Sequence, residues 1–292
     1  MKKILSIATF ILLATTINAQ LLWKVSGNGL KQDSYIFGTH HVAPVTMIDS
    51  IKGLAEAIKS VSEIYGEVNM DDMQSPDMQQ LTLKYYMAPA DSTLDKVLNK
   101  LQLDSINALF AKYTNGMMTI EQMKMLKPSA LSTTLAMLQS TVAFPGFDPQ
   151  KQLDTYIQTL AKKEGKKTKG FETFDYQLNL LFGDPISEQA EALMKSVRLN
   201  DLAIEKAREL ATAYLTGDLD KIEALILDKE IGLDKESADK MLYDRNSAWE
   251  KILIGIIPTT SVLVAVGAGH LPGDKGLLNL LRKSGYNVTP VK

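Results

Sequence analysis

Two stretches of this chain close an apolar run with the same four positions. "YIFGTHHVAP" contains Gly38 and His41, and "VAVGAGHLPG" contains Gly267 and His270. The chain has only 3 histidines, so two of them end a Gly-x-x-His. Glycine at the end of a strand lets the backbone turn sharply or approach a neighbour closely. The histidine then projects from the strand's carboxyl end, where open α/β sheets place their sites. Two such elements side by side would pair two imidazoles, and a His/His/carboxylate set is a divalent-ion site with positions left for water. Taken alone, either histidine reads as a hydrogen-bonded packing residue; the recurrence favours the site. The doublet His40–His41 is not the pair, because neighbours on an extended segment face opposite ways. His41 with His270 is.

The carboxylate has two candidates. Glu67 ends "IYGEV" just after Gly66, and Glu172 lies in "GFET" where a second short strand ends. Either could also be a solvated strand-end charge. Arg245 is different. Ala238, Met241, Leu242, Trp249, Ile252 and Ile256 form an apolar helical stripe, and Arg245 falls inside it. A buried arginine needs a carboxylate or an anionic ligand. It therefore either pairs with Glu67 or Glu172 or clamps developing negative charge at the site. No His-Glu-x-x-His, Walker loop, Gly-x-Ser-x-Gly or dinucleotide fingerprint occurs.

These residues need elements to position them. Leu21–Val25 and Ser34–Phe37 read as a pair of strands joined through "GNG". A helix is expected from about Ile48 to Lys59, then a strand in Val61–Val68. From Asp72 to about Ala143 the apolar spacing is helical. Nine of the 13 methionines lie between Met70 and Met137, as core filler or as a groove lining. The helical stripe Leu153, Tyr156, Ile157, Leu160 and Ala161 precedes a short strand ending near Glu172. Helices follow over Ser187–Lys229 and Lys235–Ile257. The end reads strand, helix, strand, and Val262–Val266 suits a central strand covered on both faces. The fold class is α/β (α+β): a central mixed sheet built from N- and C-terminal strands, flanked by helices, with a large helical insertion.

Composition bounds the partners. The 292 residues are 45% hydrophobic and 23% charged, with a formal net charge of -2. That is globular chemistry without the basic field that nucleic acid demands. "MKK" followed by "ILSIATFILLATT" is a signal peptide pattern, with a cut expected after Ala19. Removal leaves no integral membrane span, one domain over residues 20–292 with its insertion at about 72–143, and an exported protein, periplasmic or secreted. With 0 cysteines, thiol catalysis and thiolate metal sites are excluded, and any metal must use His, Asp, Glu and water.

In this order the motifs resemble the TraB/GumN family, which includes the Tiki-type metalloproteases and is related to the EreA/ChaN-like fold. The resemblance runs from "LLWKVSGNGLKQDSYIFGTHH" to "VGAGHLPGDKGLLNLLRKSGYNV", through "YGEVNM", "GFETFDYQ" and "DRNSAW". It departs at Phe171, where the family's motif has leucine. The resemblance implies that His41 and His270 are the motif histidines and Glu67 the site glutamate, with Glu172, Arg245 and Asn246 around them. It implies divalent-metal-dependent peptide cleavage, with Mn or Co as candidate ions and Zn possible.

The expectation is an exported metal-dependent hydrolase acting on a peptide or protein substrate. His41, His270 and Glu67 would hold the ion, a glutamate (Glu67 or Glu172) would move the proton, and Arg245 would stabilise negative charge. Two alternatives stay open. One is a non-catalytic peptide- or signal-binding protein of the cell envelope, using the same cleft. The other is hydrolysis without metal, with a histidine as base.

Overall fold

The computed structural model describes residues 20–144 and 146–291; the signal peptide expected over 1–19 lies outside them. Six strands form one sheet: β1 (Leu22–Ser26), β2 (Ser34–Thr39), β3 (Glu63–Gly66), β4 (Lys167–Gly170), β5 (Val262–Gly267) and β6 (Asn287–Pro290). Their order is β4-β3-β5-β2-β1-β6. The first four in that order are mutually parallel, and β1 runs antiparallel to both β2 and β6. The sheet is mixed, and its strands come mostly from the two ends of the chain.

Its centre is β5, every residue of which from Val262 to Val266 is buried. A strand hydrogen-bonded on both edges and covered on both faces requires an apolar residue at each position, and this run supplies one. The helix Leu153–Lys163 places Leu153, Ile157 and Ala161 at four-residue spacing against the sheet core, and the helix Asp244–Ile256 adds Trp249 and Leu253. Each fully buried aliphatic side chain contributes roughly 1.5–3 kcal/mol. Among the described residues no helix is long and apolar enough to cross a membrane.

A second apolar core lies among the helices between β3 and β4 and their neighbours. It gathers Leu94, Ile106, Phe110, Leu131, Leu135 and Leu193. Core filling explains only part of the methionine concentration there. Met123 is buried and Met118 packs against this core, whereas Met73, Met87, Met117, Met125 and Met137 are exposed.

Local differences from the sequence reading have physical causes. The helix expected from Ile48 is split: a 3₁₀ segment, Val45–Ser50, is followed by Gly53 at φ 82°, and α-helix spans only Leu54–Ser60. The left-handed backbone at Gly53 cannot be continued as right-handed helix. The sequence reading also omitted the helix Phe174–Phe182. Thr173 caps it by accepting from the Tyr176 N–H, a signal present in "ETFDYQ".

Candidate functional site

The four parallel strands all deliver polar groups to one edge of the sheet, their carboxyl ends. Register pairs Thr39 with Gly267 across β2 and β5, and Gly66 with both Ala265 and Gly170 across β3 and its neighbours. One or two residues beyond these positions stand His41, Glu67 and Glu172, with His270 in a 3₁₀ turn three residues after Gly267. Two glycines allow this crowding. A Cβ on Gly38 would lie 3.1 Å from the Ala268 backbone, and one on Gly66 would lie 3.0 Å from the Val68 carbonyl and collide with the Gln158 amide.

Arg245 is the hub. Its Nε donates to Glu172 Oε1 at 2.9 Å, and its Nη2 donates to Glu172 Oε2 at 2.8 Å and to Glu67 Oε2 at 2.6 Å. The salt bridge that the sequence assigned to one glutamate or the other is made to both. Nη1 donates to the Met241 carbonyl at 2.8 Å and lies 3.2 Å from His270 Nε2. Trp249, one helical turn on, lies under the guanidinium at 4.8 Å and donates its indole N–H to Glu172 Oε1 at 2.9 Å. Burial alone would make Arg245 easier to deprotonate, but its ion pairs outweigh that and raise its pKa.

Asn246 sets the state of His270. Its amide N–H₂ donates to the carbonyls of His270 and Lys275 at 3.2 and 3.0 Å, so its Oδ1 is the acceptor for His270 Nδ1 at 2.7 Å. That network places the proton on Nδ1 and the lone pair on Nε2. Burial pushes the His270 pKa down to about 4, and the ring is neutral above that.

Asp154 does the corresponding work for His41. It is buried in the first turn of the helix Leu153–Lys163, where its Oδ1 accepts from the Thr39 hydroxyl at 2.6 Å and its Oδ2 lies 2.9 Å from His41 Nδ1. The Asp154 charge raises the His41 pKa to about 9. His41 stands at the cleft mouth with its side chain 68% exposed. His40 turns the other way, into a cage of Phe144 and Tyr214 with ring centroids 4.9 and 5.2 Å away. Burial lowers its pKa to about 4.

Glu67 bridges the two halves. Its Oε1 accepts the Gly267 N–H at 2.9 Å and lies 3.7 Å from His270 Nε2. Gln177 donates to Glu67 Oε2 at 3.0 Å and to Glu172 Oε2 at 3.2 Å. Burial would raise the Glu67 carboxyl, but the charges of His270, Arg245 and His41 and the Gly267 N–H hold it down at about 2.

The structure thus gathers Glu67, Glu172, Arg245, Asn246, Gly267 and His270 into one hydrogen-bonded cluster, with Gly38 packed beneath it and His41 at its mouth. Sequence reasoning missed Asp154, Gln177 and Gln158. Asp154 looks like an ordinary acidic residue in a helix's first turn. Gln158, one turn later, fastens the loop after Glu67 by donating to the Val68 carbonyl at 2.9 Å and accepting the Met70 N–H at 3.0 Å.

As a divalent-ion site the donor set fits in kind. Each motif histidine has its Nδ1 held by an oxygen, which leaves Nε2 as the coordinating atom. The 3.7 Å between His270 Nε2 and Glu67 Oε1 is a few tenths of an ångström wider than the roughly 3.4 Å between two tetrahedral ligands at about 2.1 Å from one ion. The arrangement gathers two donors, not three. Among the described residues no group of three or more His, Cys, Asp or Glu side chains is placed to hold an ion together, and Arg245 Nη1 occupies the His270 lone pair.

Comparison with known proteins bears on this edge. A curated protein of Amphimedon queenslandica, "Metalloprotease TIKI homolog", is 23% identical over 91% of this chain and 60% of its own length. The chain therefore spans less than two thirds of that relative. No solved structure matches the chain. A family model, described as TraB/PrgY/gumN family, matches residues 21–290, which takes in all six strands and every residue of the cluster. The chain belongs to the TraB/PrgY/gumN family.

Proposed function

We propose that this protein is an exported, divalent-metal-dependent hydrolase that cleaves peptide bonds at the carboxyl edge of its sheet. The observation that carries the reading is the paired state of the motif histidines. Asp154 and Asn246 hold the two Nδ1 atoms, so Nε2 is the atom of each ring that would meet an ion, in place of the Arg245 Nη1 contact at His270 and of the proton His41 carries near neutral pH. The similarity to a protein named as a metalloprotease supports the choice of reaction.

His41, His270 and Glu67 would hold the ion. When bound, a divalent ion supplies a Lewis acid for the scissile carbonyl and lowers the pKa of a water molecule. The two glutamates divide their work. Among the described residues Glu67 Oε1 accepts only the Gly267 N–H, whereas each Glu172 oxygen takes two donors. Glu67 therefore has the open oxygen, and a carboxyl held at about 2 favours ligation over proton transfer at neutral pH. Glu172 fixes Arg245, which lines the cleft; its five N–H groups are taken by Glu172, Glu67, Met241 and His270, so it would act on negative charge developing on a substrate oxygen through its positive charge and not as a free donor. Asp154 orients the His41 ring, a task usual for a carboxylate behind a ligating imidazole.

The test is turnover of a fluorogenic peptide pool by purified protein, before and after chelation and after adding back Mn²⁺, Co²⁺ or Zn²⁺. Loss on chelation and recovery with one of the ions is expected. Turnover indifferent to chelation would remove the metal. Peptide binding without turnover would leave a binding protein.

A further inference from the structure

We propose that the cleft is divided into two side-chain pockets that read an extended peptide on either side of the bond to be cut, the larger one taking a bulky aliphatic or aromatic residue. The proposal rests on the peptidase reading and names its substrate class. Two cavities open onto the cluster, of about 470 and about 160 Å³. His41, Glu67, Met241 and Arg245 line both, so the partition between them is the chemistry-bearing cluster itself. An apolar pocket, a polar divider and a second pocket repeat the order of side chain, amide and side chain along a peptide.

The larger cavity is walled by Ala203, Ala207 and Leu210. They recur at i, i+4 and i+7 on the helix Asn200–Thr216 and so form one face of it. Ile226 and Leu233 line the same cavity. All five are half-buried; Leu210 and Ile226 rest against the sheet core on one side and face the cavity on the other. The two alanines create the width. The volume falls within the roughly 300–1,000 Å³ of ordinary ligand sites. Lys206 in the same wall is neutralised by Glu209 at 3.2 Å and Asp228 at 3.6 Å, so it does not select an acidic residue. The smaller cavity has Val68, Met70 and Leu180 with the amides of Gln158 and Gln177, and it admits only a short side chain.

Met241 sits in a π-helical turn, Asp239–Tyr243, directly before the helix that carries Arg245. Such turns widen a helix locally and recur at functional sites. Here the turn places the side chain between the two cavities.

The test uses two internally quenched peptides that differ only by Leu against Ala at the position found preferred in a digest of a mixed peptide pool. The wild-type protein is expected to favour Leu by about tenfold or more in kcat/KM, the scale set by a few methylenes in an apolar pocket. Ala207→Trp should collapse that ratio towards one, which a general loss of folding would not do. Cleavage with no preference, or a preference unchanged in Ala207→Trp, overturns the pocket and leaves the peptidase. If neither peptide is cut, equilibrium binding of both to chelated protein decides. Tighter Leu binding that disappears in Ala207→Trp supports the pocket while the peptidase reading falls, and equal binding of the two peptides overturns the pocket.

Discussion

At the scale of single residues, the cluster works by fixing protons. Asp154 holds a proton on His41, and Asn246 holds one at Nδ1 of His270, so two chemically identical side chains sit in opposite states near neutral pH. Replacing Asp154 by Asn removes the charge that raises His41. Its pKa is expected to fall from about 9 towards the ordinary 6.5, read from the imidazole resonances in a pH titration by NMR. A value that stays near 9 would mean that another group sets it. This pairing was not legible in the sequence, because Asp154 and His41 are 113 residues apart and an acid in a helix's first turn needs no special explanation. The two Gly-x-x-His motifs were legible because they repeat.

At the scale of elements, one helix does most of the positioning. Arg245, Asn246 and Trp249 lie at i, i+1 and i+4 on the helix Asp244–Ile256, and all three are buried. An arginine inside an apolar stripe signals either a buried ion pair or a charge clamp at a site, and the structure shows the ion pair. Its sharing between Glu67 and Glu172 could not be read, because it depends on β3 and β4 lying side by side. Arg245→Met would leave both glutamates buried without their cation, at a cost of about 3–5 kcal/mol. Denaturant unfolding would measure it, and adding Glu67→Gln and Glu172→Gln to the variant should recover part of the loss. The helix beginning at Leu54 shows the limit of periodicity. Apolar spacing continued through Gly53, but a positive φ there breaks the element.

At the scale of the whole molecule, the sheet order β4-β3-β5-β2 brings Glu172, Glu67, His270 and His41 to one edge from four separate parts of the chain. Composition and strand pattern led to a mixed sheet with inserted helices. The methionine-rich layer was harder to read, because methionine packs in cores and stands on surfaces with little sequence distinction.

Three shifted groups make the fold sensitive to acid, the two histidines through burial and Glu67 through charges that outweigh its burial. His40 and His270, each at about 4, take up protons more readily unfolded, so stability falls as pH drops from 6.5 towards 4. Glu67 contributes above its ordinary 4.5, and that contribution is lost as pH falls towards about 2. The melting temperature should decline steadily over both ranges, and His40→Phe should flatten the upper part. We further propose that the sheet core and the helical core form one domain. Trp23 and Trp249 both belong to the sheet core, while far-UV circular dichroism reports chiefly on the helices. The two signals should melt together, and helix loss preceding the fluorescence change would separate the layers.

The central claim is that His41 and His270, distant in the chain, act together on one ion. Bound metal and peptide turnover should be measured for the wild-type protein, His41→Ala and His270→Ala. Loss of groups behind metal ligands already costs about 10–100-fold, so removal of either histidine should lower metal affinity and turnover at least that far. Turnover unchanged in both variants would contradict the account.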